Sequence, residues 1–108
     1  ALELSPLDPL AYAMLSGRAM AHVQLGDYEK AAEFGSRAAR MPGAHKHIAL
    51  IAAFTANLAG NPEQASHWLA KGLAADPHLV VETFFRAFPF AHNPAREVIE
   101  RSLADLGL

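Results

Sequence analysis

The six histidines are the side chains of this chain with the clearest potential for chemistry, because imidazole binds metals and titrates near neutral pH. His45 and His47 stand two residues apart at a predicted helix start, and residues at that spacing do not face each other on a helix. The others have no acidic or thiol partner at the spacing of a metal site: His22, His67, His78 and His92. We therefore expect solvent-facing or partly buried histidines and no metal site.

Serine and glutamate also lack the settings that catalysis requires. No Gly-x-Ser-x-Gly motif and no phosphate-binding glycine loop occurs. The pattern places the serines in turns or on helix surfaces: Ser5, Ser16, Ser36, Ser66 and Ser102. Glutamate and arginine four residues apart suit ion pairs on a helix surface better than acid–base work. These pairs are Glu33 with Arg37, and Glu97 with Arg101. We expect a protein without enzymatic activity and without a cofactor.

Composition indicates one small folded domain. Of the 108 residues, 52% are hydrophobic and 19% are charged, which favours a packed core over disorder. The net charge of -2 gives no electrostatic basis for binding nucleic acid or an anionic membrane. The chain has no cysteine, no apolar run of membrane-spanning length and no signal segment. A cytoplasmic location fits these properties.

Helix start and stop signals divide the chain into six predicted helices joined by short turns. Capping acids or amides precede them, including Asp8 and Asp76, each followed by a proline, and Pro or Gly ends them. No segment alternates apolar and polar residues over a useful length, so no strand is predicted. The fold class is all-α, and the short connections favour antiparallel neighbours. The predicted helices cover residues 11–25, 29–41, 45–59, 63–75, 79–88 and 95–106.

A repeat of 34 residues organises most of the chain. Residues 26–34 return as residues 60–68, with glycine, glutamate, the first alanine and a bulky aromatic at the same offsets. Such a period indicates one supersecondary unit used twice, which buries its apolar face only by stacking on a neighbour. The repeat therefore favours a protein-interaction surface over a catalytic site.

Two helices per 34-residue unit, with a Gly-Asp turn between them, resemble the tetratricopeptide repeat (TPR) family. Small residues match the family's close-packing sites, and Pro77 matches its closing proline. The resemblance implies antiparallel helix pairs in a right-handed superhelix, with about two repeats and C-terminal capping helices. Its divisions are residues 1–7 from a preceding repeat, 8–43 and 44–77 as repeats, and 78–108 as a half repeat with a capping helix. The small sites are Ala19, Ala31, Ala38, Ala53, Ala65 and Gly72.

The chain also resembles the TPR tails of bacterial multidomain regulators. The resemblance is carried by residues 4–12 and by a C-terminal helix after Phe88-Pro89-Phe90. It implies a regulatory tail of a class III adenylate cyclase or a sensor tail of a winged-helix transcriptional regulator. Residues 1–6 read like the last turn of a helix before a proline stop. We expect a C-terminal fragment of a larger bacterial protein.

In TPR arrays the first helix of each unit lines a concave groove, and the resemblance places a mostly apolar groove in this chain. No lysine or arginine occupies a groove site, so the clamp that holds a peptide carboxylate in some TPR domains is missing. Two alternatives stay open: the groove accepts an apolar or helical segment of a partner, or it packs on the chain's own C-terminal helix or an adjacent domain. The groove residues are Met20, Val23, His47, Leu50, Phe54, Asn57, Phe84 and Phe88.

The expected function is a protein-interaction or regulatory module. Its partner is a protein, a peptide or an adjacent domain of the same chain, and neither nucleic acid nor a membrane. We also expect a homodimer through the face of the first repeat around Leu10, Met14 and Ala21, because apolar surface there lacks a preceding helix.

Overall fold

The computed structural model describes residues 9–41, 46–87 and 94–108, and these ranges contain helices and turns but no strand. The predicted all-α class is confirmed, and neighbouring helices along the chain pack against each other from the first to the fourth. The predicted segment 1–7 and the capping residue Asp8 lie outside the described residues. The helices are α1 (Pro9–Leu25), α2 (Tyr28–Arg40), α3 (Lys46–Leu58), α4 (Pro62–Ala75), α5 (Val81–Ala87) and α6 (Pro94–Asp105).

The turns after α1 and α3 have the same geometry 34 residues apart. Gly26 and Gly60 adopt φ values of 77° and 82°, a region that favours glycine. The N–H of the next residue then donates to a carbonyl five residues earlier, at 2.9 Å in both turns. This pattern ends a helix while satisfying its free carbonyls. The sequence repeat is therefore a repeat of backbone structure.

The second helix of each pair begins with the predicted cap. The Asp27 carboxylate accepts a hydrogen bond from the N–H of Lys30 at 3.4 Å, and the Asn61 side chain accepts one from Gln64 at 3.3 Å. Each side chain thus satisfies one free N–H in the first turn. Both caps confirm the sequence-based prediction.

The predicted helix start at Asp76-Pro77 is wrong. Asp76 instead follows the end of α4, and α5 begins at Val81. The Asp76 carboxylate binds the Lys46 ammonium at 2.6 Å and accepts from the N–H of His78 at 3.0 Å. These contacts hold the end of α4 against the start of α3, so this carboxylate does not cap α5.

Helix α3 lies at the centre of the fold. Eight of its 13 residues are buried, on all sides of the helix, and Lys46 at its first position is its only Lys, Arg, Asp or Glu. A helix that is apolar all round must be enclosed by protein. Helices α1, α2, α4, α5 and α6 all contact α3 and supply that enclosure.

Helices α2 and α3 approach each other closely at Gly35. A Cβ added there would lie 2.7 Å from the Thr55 hydroxyl and 3.4 Å from the Ala52 Cα. Thr55 cannot easily move away, because its buried hydroxyl donates to the Ile51 carbonyl at 2.6 Å. Gly17 in α1 is the opposite case, since a Cβ there would meet nothing within 4 Å.

We predict opposite effects of the same substitution at these two helical glycines. Gly17→Ala should raise the free energy of unfolding by about 0.5–1 kcal/mol, because it lowers the entropy of the unfolded chain. Gly35→Ala should lower it by about 1–3 kcal/mol, because the added methyl overpacks a rigid contact. Urea unfolding of dilute protein measures both values. Equal effects at the two sites would contradict the described α2–α3 packing.

The contact between Lys46 and Asp76 predicts a pH effect on stability. The hydrogen bond from Lys46, and next that from the His78 N–H, lower the pKa of Asp76 from its ordinary value of 3.8. A carboxyl with a lowered folded-state pKa stabilises the fold above its unfolded pKa, and this contribution disappears as the pH falls through the folded value. Wild type should therefore exceed Asp76→Asn in stability at about pH 6 and lose that advantage progressively as the pH is lowered below 3.8.

Urea unfolding at a series of pH values measures the difference. Asp105→Asn is the matched control, because Asp105 is exposed at the end of α6. An advantage over Asp76→Asn that persists unchanged at low pH would show that the carboxylate does not stabilise the fold by this ion pair.

Candidate functional site

The residues predicted to line a groove lie together on α1, α3 and α5. Five of them are buried: Met20 and Val23 on α1, Leu50 and Phe54 on α3, and Phe84 on α5. These five belong to one packed cluster. The structure therefore brings the predicted apolar residues together and covers them.

The two polar residues of the predicted groove lie at its edges. His47 is half-buried, and its ring meets the edge of Phe84 at a centroid distance of 6.4 Å. Asn57 is half-buried at the other end of α3. Phe88 lies outside the described residues.

Helix α6 covers this face. Ile99 and Leu103 are fully buried and belong to the same cluster as Phe54 and Phe84. Helix α6 contacts both α3 and α1. Burying two aliphatic side chains of this size contributes about 1.5–3 kcal/mol each. Of the two alternatives, the described arrangement is the one in which the C-terminal helix occupies the groove.

A buried hydrogen-bond network fixes the position of α6 on α3. The Ser102 hydroxyl, 2% exposed, donates to the Phe54 carbonyl at 3.1 Å. It also accepts from the Asn57 amide nitrogen at 2.9 Å, and this nitrogen lies 3.3 Å from the Ser102 carbonyl. Hydrogen bonds restrict geometry more sharply than apolar contacts do. They therefore set both the depth and the register of α6 in the groove.

The prediction that the serines lie in turns or on helix surfaces is wrong for two of them. Ser16 and Ser102 are buried. Ser102 lies three residues after Ile99 and next to Leu103, within the apolar stripe of α6. That spacing was the available signal, since a small polar residue inside an apolar stripe must find a partner when it is buried.

Arg96, in the first turn of α6, contacts α5 and pairs within its own helix. Its guanidinium lies 4.5 Å from the centre of the Phe85 ring, and its Nε donates to Glu100 at 2.8 Å. This pair differs from the expected pair of Glu97 with Arg101 on the same helix. The Phe85 ring helps to position the Arg96 side chain beside Glu100.

The described histidines are distributed among separate contacts. His22 stacks on Phe34 at 5.4 Å, and His67 meets the edge of Trp68 at 5.0 Å. In the part of the chain that the structure describes, no group of three or more His, Asp or Glu side chains could hold a metal ion. His45 and His92 lie outside the described residues.

A second concave surface lies between α2 and α4. This cleft of about 420 Å³ is lined by charged residues of α2, by Ala56 of α3, by Ala59 of the following turn and by Trp68 of α4. The charges are mixed, since Glu29 and Glu33 line it together with Arg40. The Trp68 indole N–H is buried and has no acceptor within the described ranges, while the Lys71 ammonium lies 5.4 Å from the ring centre. The groove prediction missed this surface because it considered only the first helices.

Comparison with known proteins returns no relative: no family model, no curated protein and no solved structure matches this chain. Within the described ranges, no helix has the length and apolar character needed to cross a lipid bilayer.

We predict that Ser102→Ala lowers the free energy of unfolding by about 1–2 kcal/mol, because Asn57 loses a partner at a partly buried site. Ser66→Ala in α4 is the matched control, since Ser66 is exposed; its effect should stay within about 0.5 kcal/mol. Urea unfolding measures both values, and hydrogen exchange should show faster opening of α6 in Ser102→Ala. Equal effects at the two serines would contradict the described network.

Proposed function

We propose that this protein is a non-catalytic interaction module of the TPR type, whose groove on α1, α3 and α5 binds an amphipathic helix. The observation that carries the proposal is α6 itself. Its apolar residues fill the groove, and its serine is hydrogen-bonded to Asn57 and to the Phe54 carbonyl. A groove that encloses a helix in this way has the shape and polarity that helix-in-groove recognition requires.

The character of the groove defines the kind of partner it suits. The predicted residues on its walls are apolar apart from His47 and Asn57, and none of them is a lysine, arginine, aspartate or glutamate. A suitable helix presents aliphatic residues at positions i and i+4 with a small hydroxyl residue at i+3, as Ile99, Leu103 and Ser102 do. The partner belongs to another protein or to an adjacent domain of the same chain, and we propose that it meets the module in the cytoplasm.

In this arrangement α6 is a tethered competitor. Tethering gives a segment a high effective concentration, on the order of millimolar for short flexible links. A partner helix must therefore bind more tightly than α6 or act when α6 is weakened. A change that shifts the equilibrium between docked and released α6 would then regulate binding of the partner helix.

The test measures binding of a fluorescent peptide of residues 94–108 to the 108-residue protein by anisotropy. Ile99→Ala weakens α6 docking by about 2–5 kcal/mol, because it removes buried methyl groups and leaves a cavity. The free peptide carries the native isoleucine, so we expect it to bind Ile99→Ala at least about tenfold more tightly than wild type.

Two controls define the result. Arg101→Ala alters an exposed residue of the same helix and should leave peptide binding at the wild-type level. A peptide with aspartate in place of Ile99 and Leu103 should not bind. If folded Ile99→Ala binds the native peptide no better than Arg101→Ala does, the groove is a closed core and the proposed function is wrong.

A further inference from the structure

An apolar stripe runs along the outward face of α1. Met14 is 42% exposed and Leu25 is 77% exposed. Gly17 and Ala21 lie between them and are also exposed. The spacing of three and then four residues places all four on one side of a helix. Large apolar side chains at both ends therefore flank two small residues.

The repeat identifies this stripe as a packing surface. In the 34-residue repeat, the positions of Met14, Gly17 and Ala21 correspond to those of Ile48, Ile51 and Thr55 in α3. All three α3 residues are buried, and the turn containing Ile51 and Thr55 packs on Gly35 of α2. Among the described residues, the same face of α1 has no such neighbour, since a Cβ at Gly17 would meet nothing within 4 Å.

We propose that this face binds a second copy of the chain, with two α1 helices packed antiparallel. Met14 and Leu25 are eleven residues apart, or about 16 Å along the helix. An antiparallel pair places Met14 of one copy beside Leu25 of the other. Gly17 and Ala21 then meet at the crossing, where small side chains permit close approach. The stripe is thus complementary to itself, as a two-fold interface requires.

The charge on α1 is compatible with this pairing. The helix contains no acidic residue, and Arg18 is its only lysine or arginine. The Arg18 guanidinium lies 5.8 Å from the centre of the Phe34 ring on α2 of its own copy. By contrast, the exposed residues of α2 are mostly charged: Glu29, Lys30, Glu33, Arg37 and Arg40. Association through the outward face of α1 therefore removes fewer charged groups from water than association through α2 would.

A single pair of helices buries a small area, so the expected dimer is weak and depends on concentration. Sedimentation equilibrium of the full chain should show reversible association up to about 1 mM protein. Ala21→Glu should weaken it at least about tenfold by placing a charge at the crossing. Ala70→Glu on the exposed side of α4 is the matched control and should associate like wild type. This interface does not rest on the proposed groove function.

Cross-linking tests the orientation without background, because the chain has no cysteine. A mixture of Met14→Cys and Leu25→Cys proteins should form a disulfide-linked heterodimer under mild oxidation. Met14→Cys alone should form little, since its two cysteines would be about 16 Å apart in the dimer. Efficient linkage of Met14→Cys to itself would overturn the antiparallel arrangement. A monomeric wild type, or an Ala21→Glu protein that associates like wild type, would overturn the interface.

Discussion

The fold depends on the enclosure of α3. This helix presents apolar side chains in every direction, so it is stable only when other helices surround it. Helices α2 and α4 flank it along the chain, and α1 adds a further contact. Two helical pairs therefore leave part of α3 uncovered, on the side of Leu50 and Phe54. The C-terminal region completes the enclosure: α5 contributes Phe84, and α6 contributes Ile99 and Leu103.

This constraint links the fold to the candidate site. The side of α3 that must be covered for stability also determines which helices can cover it. Apolar burial supplies most of the free energy but little specificity of position. The contacts of Ser102 with Asn57 and the Phe54 carbonyl supply the position, because a shift of α6 by one residue would leave Asn57 and the serine without each other. A competing helix faces the same requirement.

Much of the fold could be predicted from the sequence because its signals are local. Gly26 and Gly60 end helices by backbone conformation, and Asp27 and Asn61 begin the next ones by hydrogen bonding to N–H groups three residues away. The error at Asp76 has a different origin. Its partner Lys46 is 30 residues away, and no local pattern reveals such a contact. Ser102 differs in part: its position in the apolar stripe of α6 is a local signal of burial, but its partner Asn57 lies 45 residues away and no local pattern identifies it.

The groove could be predicted as a set of residues but not as an open or occupied surface. The resemblance to TPR arrays predicts Met20, Leu50 and Phe54 on one side of the helical pairs, and their burial then depends on a helix that follows 40 or more residues later. The two repeat units share turn geometry but differ in the side chains on the corresponding faces of α1 and α3. The outward face of α1 carries Gly17 and Ala21 where α3 carries Ile51 and Thr55. Smaller residues reduce the apolar surface that α1 must hide, so this face can remain in water while the equivalent face of α3 cannot. Enclosure is therefore obligatory at α3 and optional at α1, which is why the central helix defines the fold and the first helix is free to serve association.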